Sequence, residues 1–469
     1  ETTSDGITVS GNVTADGLRL GDSEYAYFGD GNDLRIYHNG SNSFIDDAGT
    51  GDLYIRASTN LYLQKYTGET TAKFITDGAV ELYHNNTKKF ETTGAGASVT
   101  GVFNVGTGTS ITSSSLIVND VQYPDSGPLS NRNLVINGAM QVAQRGTSST
   151  ANGYGTVDRM RPESGQISYT QSQQTLSSGS PYDEGFRYFM RAAVTSTSSG
   201  TDSYFQIETR LEAQDIAQSG WKYKDSSTNI VCSFWARSSL AGTYYVQYRA
   251  LDSGSGLFYI NKSFTLAADT WTKVEHVIPG HSSLVFNNDT GAGFQITIVP
   301  HYGTDYTDSG VAVDSWFTRS GNNYLPNFAQ NWGNTSSATF DVTGIQLEVG
   351  SKATPFEHRI FGDELDRCMR YFQKQDYPLV VCGMSASDQI NKSNWFNYAV
   401  PMRAAPGTLT IKDSNGTAGQ AHFQPLNTGG SDVAVTVQTS SEFGHYLRKD
   451  GSQTGSSQFL YGFEASAEL

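Results

Sequence analysis

The sequence is poor in cysteine and proline. Its 469 residues include only 3 Cys and 12 Pro. Three cysteines without a CxxC pair cannot form the framework of a disulfide-rich domain. Cys232 and Cys368 lie among apolar neighbours, a pattern typical of small buried side chains. The sequence therefore predicts a fold that is held by ordinary cores and forms in a reducing cytoplasm.

Positive charge is also scarce. Lys and Arg number 31 against 46 Asp and Glu, which gives a net charge of −15. Nucleic-acid binding requires clustered cations for phosphate contacts, and no such cluster occurs. The sequence contains no signal peptide and no apolar run long enough to cross a bilayer. We therefore expect no nucleic-acid partner and no membrane insertion.

Motifs of common catalytic sites are missing. The sequence has no GxSxG elbow, no HExxH and no P-loop. Carboxylates are frequent, as in the pairs Asp305/Asp308 and Glu208/Glu212, but a glycosidase needs two at a set distance that a sequence does not show. We expect a protein that is not an enzyme, with a polysaccharide depolymerase as the alternative.

Two features resemble metal sites. His38 and His84 occupy the same place in a repeat, so a trimer would bring each into a ring of three imidazoles. Residues 29–34 resemble a calcium-binding nonapeptide, but Arg35 stands where an apolar residue belongs. A β-turn accounts for residues 29–34, and packed or exposed side chains account for His38 and His84. We expect no metal and no cofactor.

Residues 1–122 are repetitive. LRIYHN at 34–39 and VELYHN at 80–85 are in register, and Gly- and Asp/Asn-rich turns separate the short strands. Strands this short bury too little to close a core within one chain, a problem that stacked repeats or intertwined chains solve. We predict a β shaft and neck, intertwined as a homotrimer, with a single-chain solenoid as the alternative.

Further strands follow at regular spacing. Alternating apolar stretches at 204–210, 230–236, 244–250, 258–266, 294–299 and 340–349 are typical of a β-sandwich or jelly roll. We predict an all-β protein in which 123–358 form a linker, at 123–128, and a jelly roll. Residues 376–469 are expected to form a small C-terminal β-sandwich domain.

One segment predicts a strand followed by a helix. Ile345 and Leu347 alternate with Gln346 and Glu348, as in a half-buried edge strand. The connecting helix is expected within 359–375, with an N-cap at Asp363. Its apolar face is expected to consist of three side chains: Leu365, Met369 and Phe372.

Several motifs appear together in one order. They are NRNLVINGAMQVAQRG at 131–146, VDR at 157–159, TRLE at 209–212, CSFWARS at 232–238, GIQLEVGSKATPFE at 344–357, ELDRCMRYFQK at 364–374, PMRAAP at 401–406 and FEASAEL at 463–469. This set resembles the jelly-roll module of tailed-phage tail fibres, a carbohydrate-binding-module-like fold, over the chain from about 131 to its end.

The resemblance implies a receptor-binding tail fibre of the virion, made in the host cytoplasm. Its expected partners are two further copies of the chain, a lipopolysaccharide-like glycan of the host surface, and a phage tail or baseplate protein held through an upstream segment. The alternatives are a tailspike-like depolymerase and a purely structural virion component.

Aromatic residues in loop-like stretches are the candidate glycan contacts, because sugars stack their C–H faces on aromatic rings. The alternative for each is a place in a core. The candidates are Tyr302, Tyr306, Trp316, Tyr324, Trp332, Trp395, Phe396 and Tyr398.

Overall fold

The structure is a computed structural model that describes residues 2–3, 6–7, 9–104, 109–111, 116–118, 121–122, 131–385, 390–425, 429–450 and 456–469. The chain divides into two compact units, Glu1–Phe103 and Asn104–Leu469. Several antiparallel sheets make up nearly all of the regular structure, which confirms the all-β prediction. The expected linker at 123–128 lies outside the described residues.

The first unit consists of short strands. They are β1 (Thr2–Thr3), β2 (Gly6–Ile7), β3 (Tyr25–Phe28), β4 (Leu34–His38), β5 (Ser43–Asp47), β6 (Asn60–Gln64), β7 (Thr70–Ile75), β8 (Val80–His84), β9 (Thr87–Thr93) and β10 (Gly96–Val99). β3–β5 form one meander and β6–β10 another. The repeated motif falls on β4 and β8, so His38 and His84 end equivalent strands.

The larger sheet of the first unit carries an uncovered apolar face. Leu63, Ala72 and Leu82 lie opposite one another across three strands, and Leu82 also faces Phe90. Leu63 and Leu82 are exposed. Within the described positions 9–102, Ala72 is the only hydrophobic residue that is buried. A sheet with one apolar face ordinarily covers it with another layer.

Short strands follow from the boundary between the two units, and the second unit continues as a sandwich. The strands are β11 (Phe103–Asn104), β12 (Thr109–Ile111), β13 (Leu116–Val118), β14 (Val121–Gln122), β15 (Ser148–Ser149), β16 (Arg161–Gly165), β17 (Ser168–Thr175), β18 (Tyr188–Ser196), β19 (Tyr204–Glu212), β20 (Asn229–Ser238), β21 (Gly242–Ala250), β22 (Phe258–Leu266), β23 (Thr272–Pro279), β24 (Ala292–Tyr302), β25 (Trp316–Thr318) and β26 (Thr339–Val349).

Two six-stranded antiparallel sheets form the jelly roll. The first sheet has the order β15-β17-β18-β26-β20-β23, and the second has the order β16-β19-β24-β21-β22-β25. Their strands alternate apolar and polar side chains, so the apolar sets meet in one core. Phe205, Phe234 and Phe340 are among its fully buried side chains.

The strand predicted as a half-buried edge is central and covered on both faces. β26 lies between β18 and β20, and Gln346 and Glu348 are buried. The following segment folds back over it: the Thr354 N–H and hydroxyl donate to Glu348 at 2.8 and 2.6 Å. The edge prediction was wrong because β26 pairs with a strand on each side and an irregular segment covers its polar face. An irregular segment of this kind leaves no periodic pattern in the sequence.

Among the described residues, three short α-helices accompany the strands: α1 (Ser180–Asp183), α2 (Ala213–Ala217) and α3 (Phe361–Met369). α3 confirms a helix at the expected place, but it starts after Ile360, and Phe372 lies in the next strand. Its buried residues are Glu364 and Cys368, whereas Leu365 and Met369 are half-buried. No helix of the described residues is long and apolar enough to span a membrane.

The C-terminal strands form one nine-stranded sheet around a separate core. They are β27 (Phe372–Ser385), β28 (Ile390–Ser393), β29 (Phe396–Asn397), β30 (Thr408–Lys412), β31 (Gln420–Pro425), β32 (Ser431–Ala434), β33 (Thr436–Ser441), β34 (Gly444–Asp450) and β35 (Ser456–Ser466). β27 and β35 pair at its centre, and Phe459, Tyr461 and Phe463 fill the core.

A group that we call the buried ionic cluster joins this domain to the jelly roll. Its members are Arg159, Glu212, Arg370, Tyr371 and Glu468. Arg370 donates two hydrogen bonds of 2.8 Å to Glu212, and the Tyr371 hydroxyl donates a third of 2.7 Å. The Arg159 guanidinium stacks 3.5 Å from the Tyr371 ring centre and pairs with Glu468.

Burial alone would raise the pKa of Glu212, but the hydrogen bonds from Arg370 and Tyr371 outweigh it and lower the pKa below its ordinary value. A carboxylate with a lowered pKa in the folded state stabilises the fold at pH values above its unfolded-state pKa. This stabilisation is lost as the pH falls through the folded-state pKa. The carboxylate of Glu212 therefore stabilises the joint at neutral pH.

We predict that Glu212→Gln lowers the free energy of unfolding by about 2 kcal/mol at pH 7, because hydrogen bonds to a buried charge are lost. Asp376→Asn is the control, since Asp376 pairs with Lys374 while 81% exposed, and it should change stability by less than about 0.5 kcal/mol. Urea unfolding followed by tryptophan fluorescence measures both. The Glu212→Gln deficit should shrink towards acid pH; a deficit that persists unchanged there would contradict the assignment.

Candidate functional site

The outward face of the second sheet carries large polar side chains. On β19 the outward residues are Tyr204, Gln206 and Glu208, while Phe205 and Ile207 between them enter the core. The same alternation continues on the neighbouring strands. Polar residues on an open sheet face are normally exposed, but on β24 Gln295 and Thr297 are 5% and 3% exposed.

These side chains form the floor of a cleft of about 350 Å³. Glu208, Thr297 and Gln247 lie opposite one another on adjacent strands, and so do Gln295 and Arg249 in the next row. We define the cleft by its lining residues. They are Tyr204, Gln206, Glu208, Gln247, Arg249, Tyr259, Gln295, Thr297, Tyr302, Tyr306, Arg319 and Tyr324.

Four tyrosines form one wall of the cleft. The ring centres of Tyr204, Tyr302, Tyr306 and Tyr324 lie 5.7 to 6.3 Å apart in successive edge-to-face contacts. This geometry favours rigid packing of aromatic rings. Because the contacts are edge-to-face, the rings present their surfaces in different directions.

The wall is anchored to the sheet by hydrogen bonds. The Tyr324 carbonyl accepts from Gln247 Nε2 at 3.0 Å and from Asn261 Nδ2 at 2.9 Å. The Tyr302 hydroxyl donates to Gln206, and Gln206 Nε2 donates to Glu208 at 2.6 Å. The loop that carries Tyr306 and Tyr324 is therefore held over the polar floor, which explains why the floor is buried.

Glu208 provides the carboxylate at one end of the cleft. Arg161 and Arg210 pair with it at 2.8 and 3.0 Å. Arg210 also donates to the Leu469 carbonyl at 3.2 Å. The charge of Glu208 is thus compensated, and its position is fixed from both sides.

Four phenols of the cleft have raised pKa values and are neutral at physiological pH. Burial raises the pKa of Tyr204, Tyr302 and Tyr306 above the ordinary value. Burial also raises the pKa of Tyr259, although Arg249 and Arg319 oppose the shift. Neutral hydroxyls both donate and accept hydrogen bonds, as sugar hydroxyls do.

Gln295 leaves a polar atom of the floor without a partner. Its Nε2 donates to Thr297 at 2.9 Å, while its buried Oε1 has no hydrogen-bond partner. An unsatisfied buried amide oxygen is costly, and buried polar atoms are normally paired. A ligand hydroxyl in the cleft would supply the missing donor.

The predicted glycan contacts lie in different parts of the structure. Tyr302, Tyr306 and Tyr324 line the cleft. Trp316 instead faces the core side of β25, where it stacks on Phe258 at 5.2 Å and donates to the Pro279 carbonyl at 2.8 Å. Trp316 is therefore fixed by packing and does not line the cleft.

Two predicted contacts are core residues. Trp332 is 0% exposed and packs on Phe205, and Tyr398 is 7% exposed in the C-terminal core. Phe396 is half-buried against Phe463 in the same core. Trp395 is 40% exposed. Trp332 was wrong as a contact because its ring is fully buried, and Tyr398 packs inside the C-terminal core and lines no part of the cleft.

Sequence reasoning missed most of the polar floor. The strands that carry the floor have one apolar face, and their outward positions include Gln206, Gln247, Arg249 and Gln295. The alternation of polar with apolar residues along each strand was visible in the sequence. Nothing in that alternation shows that a loop covers these side chains. Among the described residues, no group of three or more His, Cys, Asp or Glu comes together to hold a metal ion.

Comparison with known proteins gave structural likenesses only. No protein-family model matches the sequence, and no curated protein matches it. The chain resembles the enzymatically active domain of tailspike protein 4 of bacteriophage CBA120, with 10% identity and a TM-score of 0.26 over 46% of this chain and 21% of that one.

Two structures from Clostridium thermocellum are also similar. The family 11 carbohydrate-binding module, solved with a β-1,3-1,4-mixed-linked tetrasaccharide, has 16% identity and a TM-score of 0.22 over 45% of this chain and 98% of that one. The N-terminal part of endo-1,4-β-D-xylanase 10B has 10% identity and a TM-score of 0.24 over 49% of this chain and 30% of that one.

These findings correct the expectation that the chain is not an enzyme. The tailspike domain is enzymatically active, and the xylanase chain pairs a carbohydrate-binding module with a catalytic module. The exclusion was wrong because it rested on missing sequence motifs, and carboxylate pairs of glycosidases have no fixed sequence spacing.

The placement of the tryptophans predicts losses of stability of different size for two substitutions. Trp332→Ala removes a fully buried ring and should cost about 3–5 kcal/mol of unfolding free energy. Trp395→Ala removes a ring that is 40% exposed and should cost less than about 1 kcal/mol. Thermal unfolding measures both, and equal losses would contradict the assignment of Trp332 to the core.

Proposed function

We propose that the cleft of the second sheet binds a glycan. The observation that carries the proposal is the combination of a rigid tyrosine wall with a buried polar floor on one sheet face. Sugars need an aromatic surface for their C–H groups and closely spaced donors and acceptors for their hydroxyls. Both requirements are met within one cleft.

The floor is also preorganised. Gln247, Gln206 and Tyr302 are fixed by hydrogen bonds within the protein, so binding does not need to order them. The unpartnered Oε1 of Gln295 offers an acceptor that is already desolvated. A hydroxyl donor at this point would gain a hydrogen bond without a new desolvation cost on the protein side.

We propose further that the chain is a tail fibre of a tailed phage that adheres to a host-surface glycan as a virion component. The motif set from 131 to the end of the chain supports this role. A single cleft would bind weakly, but several clefts in one assembly raise the effective affinity many-fold. Adhesion therefore requires several copies of the chain.

Binding should be lost in Tyr306→Ala, because the ring is removed from the wall. The measurement is the full-length chain on an array of bacterial surface glycans, with and without the substitution. We expect at least a tenfold loss of signal, corresponding to about 1.4 kcal/mol per site, while the circular dichroism spectrum remains that of the folded β protein.

Trp395→Ala is the matched control, because it removes an exposed ring from the C-terminal domain. It should leave glycan binding intact. Loss of binding in Trp395→Ala with retention in Tyr306→Ala would place the contact in the C-terminal domain and contradict the proposal. Absence of binding to every glycan on the array would overturn it altogether.

The assembly that we propose is a homotrimer formed through the first unit. Its support is the apolar face that Leu63, Phe74, Leu82 and Val99 leave exposed on the sheet β6–β10. Contiguous exposed apolar surface typically marks an interface. Further copies of this chain are the proposed cover, because the neighbouring meander β3–β5 likewise exposes its apolar pair Ile36 and Ile45.

Light scattering of the full chain should give about three times the chain mass of 50.9 kDa. Leu82→Lys should reduce the mass to that of the monomer, because it places a charge on the apolar face. Tyr62→Lys is the control: Tyr62 is 44% exposed, similar to Leu82 at 45%, but points to the other face of the sheet. A monomeric unmodified chain would contradict the assembly.

A further inference from the structure

Two arginines at the end of the cleft away from β19 and Glu208 have no acidic partner among the residues that the structure describes. Arg249 and Arg319 both line the cleft, and neither forms an ion pair with a carboxylate of the described residues. Arg161 and Arg210, which do not line the cleft, both pair with Glu208 and compensate its charge. The positive charge of the cleft is therefore concentrated at one end.

The two guanidinium groups are held in place by backbone carbonyls. Arg249 Nε donates to the Gly256 carbonyl at 2.5 Å, and Arg319 Nη1 donates to the Gly321 carbonyl at 2.6 Å. Gly256 has a φ of 74°, and a Cβ there would lie 3.3 Å from Arg249 Nη2. Glycine thus allows the backbone to approach and orient the guanidinium.

Aromatic rings support the same pair. The guanidinium carbons of Arg249 and Arg319 lie 5.4 and 5.9 Å from the ring centre of Tyr259, and Arg319 lies 4.2 Å from that of Tyr324. Stacking on rings orients a guanidinium and leaves its edge free to donate. Arg319 Nε is buried and without a hydrogen-bond partner.

We infer that the cleft selects an acidic glycan, with a sugar carboxylate bound between Arg249 and Arg319. A guanidinium edge donates two parallel hydrogen bonds to a carboxylate, which a neutral hydroxyl cannot accept in the same way. The unpartnered donor of Arg319 and the unpartnered acceptor of Gln295 lie in one cleft. A sugar that carries both a carboxylate and hydroxyls satisfies both atoms.

This inference rests on the proposed glycan binding and adds the chemical class of the ligand. It also explains why an acidic chain carries, in this cleft, two arginines without acidic partners among the described residues. The chain carries a net charge of −15, so its overall field repels an anionic polymer. A local pair of unpaired arginines provides attraction at short range, where screening by salt is weaker than between distant charges.

The test begins with a glycan array that displays oligosaccharides containing uronic, sialic or ketodeoxyoctonic acid beside neutral ones. The full-length chain should bind acidic members. The best-bound glycan is then compared with its carboxyl-reduced form, in which each carboxylate becomes a primary alcohol. We expect the reduced form to bind at least tenfold more weakly, because charge-assisted hydrogen bonds are lost.

The double variant R249Q/R319Q should bind the acidic and the reduced glycan with equal affinity. The control R187Q removes an exposed arginine that stacks 4.0 Å from the Tyr182 ring outside the cleft, and it should keep the preference. Binding of neutral glycans alone, or of the reduced form as well as the acid, would overturn the inference and leave the proposed function standing. Absence of binding to all glycans would instead overturn the proposed function.

Discussion

The buried ionic cluster is the constraint on which the second unit depends. Charges that are removed from water must be paired, since an unpaired partner costs several kcal/mol. The pairs Arg159–Glu468 and Arg370–Glu212 therefore hold the jelly roll, the segment after α3 and the end of the chain in one arrangement. All of these residues lie in the ordered motifs of 131–469 described from the sequence, so those motifs include the residues of a structural joint.

The joint also reaches the cleft. Arg159 donates to the Arg210 carbonyl at 2.6 Å, and the Arg210 side chain bridges the Leu469 carbonyl and Glu208. The end of the chain thus helps to fix one end of the cleft floor. A binding surface on a rigid sheet, supported from behind by paired charges, loses little entropy when a ligand binds.

The sequence predicted the fold better than the site. Alternation located β22 at its observed bounds, because a strand with one buried face has a period of two. The prediction failed where irregular backbone decides burial, as at Glu348 under the segment around Thr354. The site depends on the same kind of cover: the loop bearing Tyr306 was identified, but the residues beneath it, such as Gln295, were not.

The outward face of the second sheet is the proposed glycan-binding surface. The most direct measurement is a crystal structure of the full chain with the glycan that binds best on the array. We expect electron density for a sugar ring against Tyr306, with polar contacts to Gln295 and Arg319. Density against Trp395 in the C-terminal domain, with an empty cleft, would contradict it.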